Sequence, residues 1–206
     1  MRGRFLSFEG PDKAGKSTQI QLFAQYLEAK GIPFLLTREP GGCPVSEKIR
    51  DLILAPENQM GDLCEALLYA ASRSELVRTV IRPALARGTW VVCDRYVDSS
   101  IAYQGYGRGL GEAAIRCIND LATDHLAPDL SFYFRIDPDM AMQRAAGAQD
   151  RIEQAGAAFR HRVAAGYEAL YRKNPSQYCL IDASGTIEQV HQRVIQGYER
   201  WDSTCV

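Results

Sequence analysis

The sequence predicts an α/β fold, a five-stranded parallel sheet with helices on both faces, and three observations carry that prediction. Five short apolar runs alternate with longer stretches of helical periodicity along 206 residues, the pattern that covers a parallel sheet with two helical layers. The run from Thr89 to Cys93 continues through Trp90, Val91 and Val92 without a polar break, as a strand buried on both faces must. Polar and charged residues follow the runs at their carboxyl ends, which right-handed crossovers gather on one rim. The length suits one domain spanning residues 1–206.

The first run, Phe5, Leu6 and Phe8, stops at the loop GPDKAGKS. Gly10, Gly15, Lys16 and Ser17 fit the P-loop spacing: glycine, any four residues, glycine, lysine, then a hydroxyl residue. Glycine at both ends lets the backbone curl until its N–H groups face one anion, and the helix that follows adds the positive potential of its N-terminus. Lys16 is expected to reach the outer phosphates. Ser17 offers a hydroxyl to a magnesium ion that keeps most of its ligands as water and phosphate oxygen. Ile20, Leu22, Phe23, Tyr26 and Leu27 then recur at helical spacing, so the loop joins a strand to a helix as the motif requires.

Gly31 can end that helix, and Pro33 to Thr37 reads as the second strand. It runs into Arg38, Glu39, Pro40 and two glycines, either a ligand-facing strand end or a surface turn. A short helix near Val45 to Leu54 precedes a helical pattern from Asp62 to Arg87, broken before Pro83, with an apolar face of Leu63, Leu67, Ala70, Leu76 or Val77, Val80 and Ile81. Tyr69 and Arg73 stand four apart on one face. They are either an aromatic that stacks on a base beside an arginine that holds its phosphate, or a core tyrosine and a solvated arginine. Gly88 opens the third strand, which ends in Asp94, where P-loop phosphoryl-transfer proteins place an acidic residue near the magnesium shell; Arg95 follows at once.

The segment VDSSIAYQGYGRGLG suits a loop or short helix that wraps a polar ring through Ser99, Ser100, Tyr103 and Gln104. A helix from Glu112 to about Thr123 carries Ile115, Ile118 and Leu121 on one side, and the fourth strand starts at Leu130. Asp137-Pro138 opens a helix to Arg144. Residues 145–150, AAGAQD, read as a short cover between Arg144 and Arg151, able to close over a polyphosphate and exclude water. Ile152, Phe159, Val163, Tyr167 and Leu170 mark a long helix, Tyr178 to Asp182 the fifth strand, and Ile187, Val190, Val194, Tyr198 and Trp201 a closing helix.

Composition excludes several classes. Lysine and arginine number 24 against 25 acidic residues, net charge −1, so no nucleic-acid or acidic-membrane surface is expected. The six cysteines, at 43, 64, 93, 117, 179 and 205, form no CxxC pair, which argues for small buried thiols in a reducing cytosol rather than zinc ligands or disulfides. No stretch approaches the roughly 18 apolar residues of a membrane span, and the four residues between Arg4 and Glu9 are too few for a signal peptide's apolar core. A soluble, cytoplasmic protein is expected. The histidines at 125, 161 and 191 have no partner spacing and are assigned no chemistry.

A phosphate cradle facing a second cluster of cations, Arg38, Arg73 and Arg95, implies two anions bound face to face, as in a kinase acting on a phosphorylated acceptor. A guanine-binding NKxD motif, the mark of a GTP-dependent switch, is absent from the sequence. A kinase of another nucleoside monophosphate or of a deoxynucleoside would share the rim and differ in the base pocket. The stretches FEGPDKAGKSTQ, TREPGG, LLYAASR, DRYVDSSIAYQGYGRG and DRIEQ together resemble the bacterial thymidylate kinases of the P-loop nucleoside monophosphate kinase group. The likeness covers almost the whole chain, with DRY-x-x-S-S-x-A-Y its most discriminating part.

The resemblance implies a P-loop NTPase architecture with a short lid at about 144–151. It also implies ATP- and Mg2+-dependent phosphorylation of dTMP to dTDP on the way to dTTP, and a homodimer packed through helices. Gly10, Pro11, Asp12, Lys13 and Ala14, with Gly15, Lys16, Ser17 and Thr18, would hold ATP, assisted by Arg144. Arg73 and Arg95, with Arg38 nearby, would hold the dTMP phosphate, Tyr69 would stack on thymine, Ser100 and Gln104 would lie near the base, and Ser99 would belong to the same substrate-binding set. Tyr103 would crowd the 2′ side of the sugar, and Ser17 and Asp94 would serve the metal, Asp94 through water. Lys16, Arg95, Asp12, Lys13 and Arg151 are the expected catalytic set. The family carries its catalytic cation either at the slot of Lys13, as arginine, or in the lid, so Lys13 and the lid arginines remain alternatives; lysine is a point charge where arginine is a planar fork. Asp12 and Glu9 are expected to act through metal-bound water, to hold an arginine, or to cap.

Overall fold

The computed structural model describes residues 2–144 and 150–204. Strands β1 (Phe5–Glu9), β2 (Phe34–Arg38), β3 (Trp90–Asp94), β4 (Leu130–Arg135) and β5 (Tyr178–Asp182) form one parallel sheet in the order β2-β3-β1-β4-β5. Helices α1 (Lys16–Ala29), α2 (Pro44–Leu54), α3 (Asp62–Leu76), α4 (Arg82–Ala86), α5 (Val97–Ser100), α6 (Glu112–Thr123), α7 (Pro138–Gln143), α8 (Ala157–Lys173) and α9 (Ile187–Ser203) connect and cover it. All five expected strands are present. β2 and β3 start one residue later than the apolar pattern suggests, because Arg38 and Asp94 extend the ladder opposite each other.

The chain leaves β1 for β2 on one side and later returns to place β4 on the other, so the strand order switches at β1 and a crevice opens at the carboxyl ends. The register sets Phe8 opposite Asp94, which brings the glycine loop and the Asp94-Arg95 pair side by side.

The period-two alternation of strands divides each between two layers. Leu6, Phe8, Val92, Phe132 and Phe134 pack against Phe23 and Leu27 of α1 and against Val194 and Tyr198 of α9. On the opposite face Phe5, Val91 and Cys93 meet Leu76 and Ile81, and Tyr133 meets Phe159, Val163 and Tyr167 of α8. Each such side chain contributes about 1.5–3 kcal/mol by leaving water. Local signals start the helices: Pro44 occupies the first turn of α2, the Asp137 side chain accepts from the N–H groups of Asp139 and Met140 ahead of α7, and Thr186 and Gln189 form a capping box at α9.

The helical pattern from Asp62 to Arg87 is interrupted before Pro83 as expected, by a π-helical turn Val77–Ile81 between α3 and α4; Pro83 lacks the N–H a continuous helix needs, and the wider turn precedes it. Several helical expectations are corrected. Leu63 and Leu67 are about half exposed (55% and 49%), because α3 turns Glu65, Ala66, Ala70, Arg73 and Leu76 inward instead. In α6 the inward stripe is Ile115, Asn119 and Thr123, leaving Leu121 87% exposed. The long helix expected from Ile152 begins at Ala157, after Gly156 at φ 88°. The segment Ile101–Gly107, expected as a loop or short helix, is π-helical after the single turn of α5. Gly107 and Gly166 let it press against α8: a Cβ on Gly107 would lie 2.6 Å from the Phe159 ring, and one on Gly166 3.0 Å from the Ala102 backbone.

Cys43 and Cys93 are buried thiols as expected, but Cys64 and Cys117 lie on the outward faces of α3 and α6 and are exposed, and Cys179 is intermediate. Cys205 and residues 145–149 of the expected lid fall outside the described residues. Among the described residues no helix is long and apolar enough to cross a membrane.

Candidate active site

A cleft of about 620 Å³ opens at the carboxyl rim of the sheet, floored by the glycine loop. Gly10 must be glycine: its φ is 137°, and a Cβ there would stand 2.5 Å from the Phe134 carbonyl oxygen. Gly15, at φ 87°, turns the loop into α1. Lys16, buried at 5% exposure, donates to the carbonyls of Gly10 at 3.0 Å and Pro11 at 2.8 Å, which curls its ammonium back over the loop. Burial, joined by the Arg95 charge, pulls that ammonium down to about 8. Asp12, Lys13, Ala14, Gly15, Ser17 and Thr18 also line the cleft, whereas Gly10 and Pro11 act through their carbonyls.

Arg95 sits at the start of the loop after β3 with φ 72°, a left-handed conformation uncommon for any residue but glycine. Its Nη2 reaches Asp12 Oδ1 at 2.5 Å, and Nη1 reaches the Gly10 carbonyl at 2.9 Å, Tyr167 Oη at 3.1 Å and Ser99 Oγ at 3.2 Å. Asp12 also accepts from Tyr103 Oη at 2.7 Å. Burial pushes the Asp12 carboxyl up, but the Arg95 and Lys16 charges outweigh it and hold it below the usual range. Asp12 therefore holds an arginine, one of its expected roles. Glu9 does something else: fully buried, it accepts from Tyr96 N and Ser99 Oγ at 2.7 Å and from Tyr167 Oη at 3.2 Å. Burial first, then the Asp98 charge, pushes its carboxyl up to about 7.

Ser17 Oγ donates to Asp94 Oδ2 at 3.1 Å, and Asp94 Oδ1 is buried without a hydrogen-bond partner. No group of three or more His, Cys, Asp or Glu side chains among the described residues would cage a metal. A hydroxyl beside an underused carboxylate oxygen fits a hydrated magnesium ion that takes its other ligands from water and phosphate.

Across the cleft Tyr69, Arg73, Ser99, Ser100, Tyr103 and Gln104 share the wall. Arg73 is neither solvated nor exposed. At 1% exposure, it donates to Glu39 at 2.5 Å, Ser100 at 2.9 Å, the Tyr96 carbonyl at 3.0 Å and Asn119, engaging four of five N–H groups. Burial pushes the Glu39 carboxyl up to about 7 against the pull of Arg73.

Two expected residues stay outside. Arg38 does not line the cleft, although it pairs with Asp94 in the sheet; its exposed guanidinium is taken up by Glu47 at 3.0 Å. Arg151 is also absent from the lining, tied by Glu65 at 2.7 Å and the Ile53 carbonyl at 2.8 Å. Arg144 does line the cleft and donates to the Ala183 carbonyl at 3.1 Å. Lys13 lines it too, with φ 63° and an ion pair to Glu153 at 2.6 Å.

The family model for thymidylate kinase matches residues 8–194. The chain belongs to the thymidylate kinase family. It is 49% identical over 193 residues to the thymidylate kinase of Exiguobacterium sibiricum, covering 92% of this chain and 91% of that one. It is 42% identical to that of Caldanaerobacter subterraneus subsp. tengcongensis, with 98% and 97% coverage. The crystal structure of thymidylate kinase from Ehrlichia chaffeensis matches at TM-score 0.80 and 35% identity, covering 97% of this chain and all of that chain. The five-stranded sheet is thus the P-loop architecture of a thymidylate kinase.

Glu39 and Pro40 line the cleft, so the end of β2 is the ligand-facing strand end of the two readings the sequence allowed; Arg50 and Glu153 also line it, and neither is singled out by the sequence. Arg50, which donates to the Pro40 carbonyl at 2.8 Å, stands three residues from Glu47 on α2 and so reads as part of a solvated face. Tyr167 was placed only as a core residue, yet its hydroxyl anchors Arg95; only the three-dimensional packing of α8 brings it there.

Proposed function

We propose that the chain is an ATP- and magnesium-dependent kinase of a single domain that transfers the γ-phosphoryl group of ATP to dTMP, giving dTDP and ADP on the way to dTTP. The supporting observation is the meeting of two cations, the buried Lys16 and the partly buried Arg95, over one glycine loop, with Asp12 beside both. One cation serves the donor phosphates and the other the acceptor phosphate. An oxygen of the acceptor phosphate attacks the γ-phosphorus while the bond to the β-phosphate oxygen breaks. Because the nucleophile is already an anion, alignment and charge neutralisation supply the rate and no strong base is required. Arg95 is preorganised by its bonds to Asp12, Gly10, Ser99 and Tyr167.

Ser17 and Asp94 hold the hydrated magnesium ion, which when bound neutralises charge on the transferring phosphates. Arg73, expected beside the acceptor phosphate, has its charge matched by Glu39 and one N–H left. It suits a neutral base carbonyl better than a dianion. Tyr69 stacks on the base, and Tyr103, fixed through Asp12, crowds the 2′ position. Of the candidate catalytic cations, Lys13 is assigned the role, because it lines the cleft on the loop itself and Arg151 does not.

The protein works in the cytoplasm as a homodimer packed through α3 and α6, a reading supported by the exposed Leu63, Leu67 and Leu121 on those helices. Sedimentation checks it: a dimer that Leu67→Asp dissociates is expected, and a wild-type monomer contradicts it. For the reaction, chromatography of a mixture with ATP, magnesium and dTMP is expected to show dTDP and ADP in equal amounts. ADP with free phosphate, formed at the same rate without dTMP, would overturn the proposal.

A further inference from the structure

Glu65 on α3 carries no role in the reaction as described, yet it is fully buried and accepts from three residues, Gln104 and Arg108 at the π-helical segment and its C-terminal end and Arg151 from beyond α7. Gln104 Nε2 reaches it at 2.9 Å, Arg108 through Nη2 at 3.0 Å and Nε at 3.2 Å, and Arg151 Nη2 at 2.7 Å. Burial pushes its carboxyl up, but the bonds from Arg108 and Gln104 outweigh this and hold it below the usual carboxylate range. It is an ion at neutral pH, and an ionised carboxylate only accepts.

That one-sidedness constrains Gln104. A carboxamide beside a hydroxyl can sit either way round; beside a carboxylate ion it must present its nitrogen. Gln104 is itself buried and lines the cleft from the π-helical segment, and Glu65 stands one helical turn from Tyr69 on the same helix. The pair therefore flanks the wall on which the base is held. We propose that Glu65 sets base selectivity by fixing the Gln104 amide with its nitrogen turned away, so that its oxygen is the atom offered to the base of the acceptor. The proposal rests on the dTMP site argued above and adds to it the origin of one discrimination. Thymine and uracil present a ring N–H that an amide oxygen accepts; cytosine presents a bare ring nitrogen there, whose lone pair the same oxygen repels. Arg108 and Arg151 keep Glu65 charged and in place.

Glu65→Gln tests this, because an amide at position 65 can either donate or accept and so releases the constraint on Gln104. With dTMP and dCMP as competing acceptors, the substitution is expected to raise kcat/KM for dCMP relative to dTMP by about tenfold or more, with KM for ATP within about twofold of wild type. An equal fall for both acceptors, ratio unchanged, overturns the proposal and leaves Glu65 as a structural residue. If Glu65→Gln does not keep the wild-type circular dichroism, the exchanged pair E65Q/Q104E decides. Position 104 then only accepts, and the wild-type preference for dTMP is expected; a shift toward dCMP overturns the proposal. Wild-type enzyme that used dCMP as well as dTMP would instead overturn the base pocket itself, and with it any selectivity for Glu65 to set.

Discussion

Arg95 Nη2 lies 2.5 Å from Asp12 Oδ1, so the residue after the third strand is locked to the glycine loop after the first. The Gly10 carbonyl ties the same guanidinium to the loop at 2.9 Å and the Tyr103 hydroxyl holds the other carboxylate oxygen, so on the proposed assignment the donor and acceptor sites keep a fixed spacing.

Asp12→Asn keeps the shape of this link and removes its charge. A charge-assisted hydrogen bond contributes about 1.5–3 kcal/mol, so kcat/KM for dTMP should fall by roughly 10- to 100-fold. Arg95→Lys, which cannot span Asp12, Gly10 and Tyr167 at once, should fall further. Steady-state kinetics with dTMP varied at saturating ATP checks both.

Lys16 makes activity sensitive to alkali. Its ammonium is pulled down to about 8 by burial and by Arg95, and only the protonated form neutralises phosphate. In the free enzyme kcat/KM for ATP should therefore decline as pH rises through about 8. Lys16→Ala should remove about 2–4 kcal/mol of transition-state stabilisation, a loss of roughly 30- to 1000-fold in kcat. A pH profile extended to pH 10, with the variant alongside, measures the arm and the loss.

Glu9 should tie stability to pH. Its carboxyl is raised from 4.5 to about 7, first by burial and then by Asp98. The folded state therefore binds the extra proton, and the stability it confers is complete below pH 4.5 and lost as pH rises through about 7. The full swing is at most about 3 kcal/mol. Urea unfolding from pH 4.5 to 8 should show a steeper decline for wild type than for Glu9→Gln.

Lys13 and Arg151 should separate in kinetics. Lys13→Ala is expected to lower kcat by about tenfold or more with KM for dTMP nearly unchanged, since one charged contact to the transferring group is lost. Arg151→Ala, which breaks the tie to Glu65, should act chiefly on thermal stability. The reverse pattern would move the catalytic cation into the lid.

Much of this was legible in the sequence. The five strands, the glycine loop and the Asp94-Arg95 pair stand out because strand burial, tight turns and phosphate binding each demand particular residues at fixed spacing. What could not be read is what depends on helix rotation. Leu63, Leu67 and Leu121 look like core by periodicity, yet Glu65, Arg73 and Asn119 take the inward positions, because buried partners from distant segments satisfy them. Arg38 and Arg151 carried the right charge, but each is claimed by a carboxylate elsewhere. The π-helical turn that presents Tyr103 and Gln104 has no simple periodic signature.

The most direct test of the central claim is the rate of ADP release with ATP and magnesium, compared across dTMP, dUMP, UMP, dCMP, AMP and thymidine as acceptors. The highest kcat/KM is expected for dTMP, with UMP disfavoured by the sugar contact of Tyr103 and thymidine by the loss of the phosphate that Arg95 holds. Faster turnover of thymidine or of AMP than of dTMP would contradict the account.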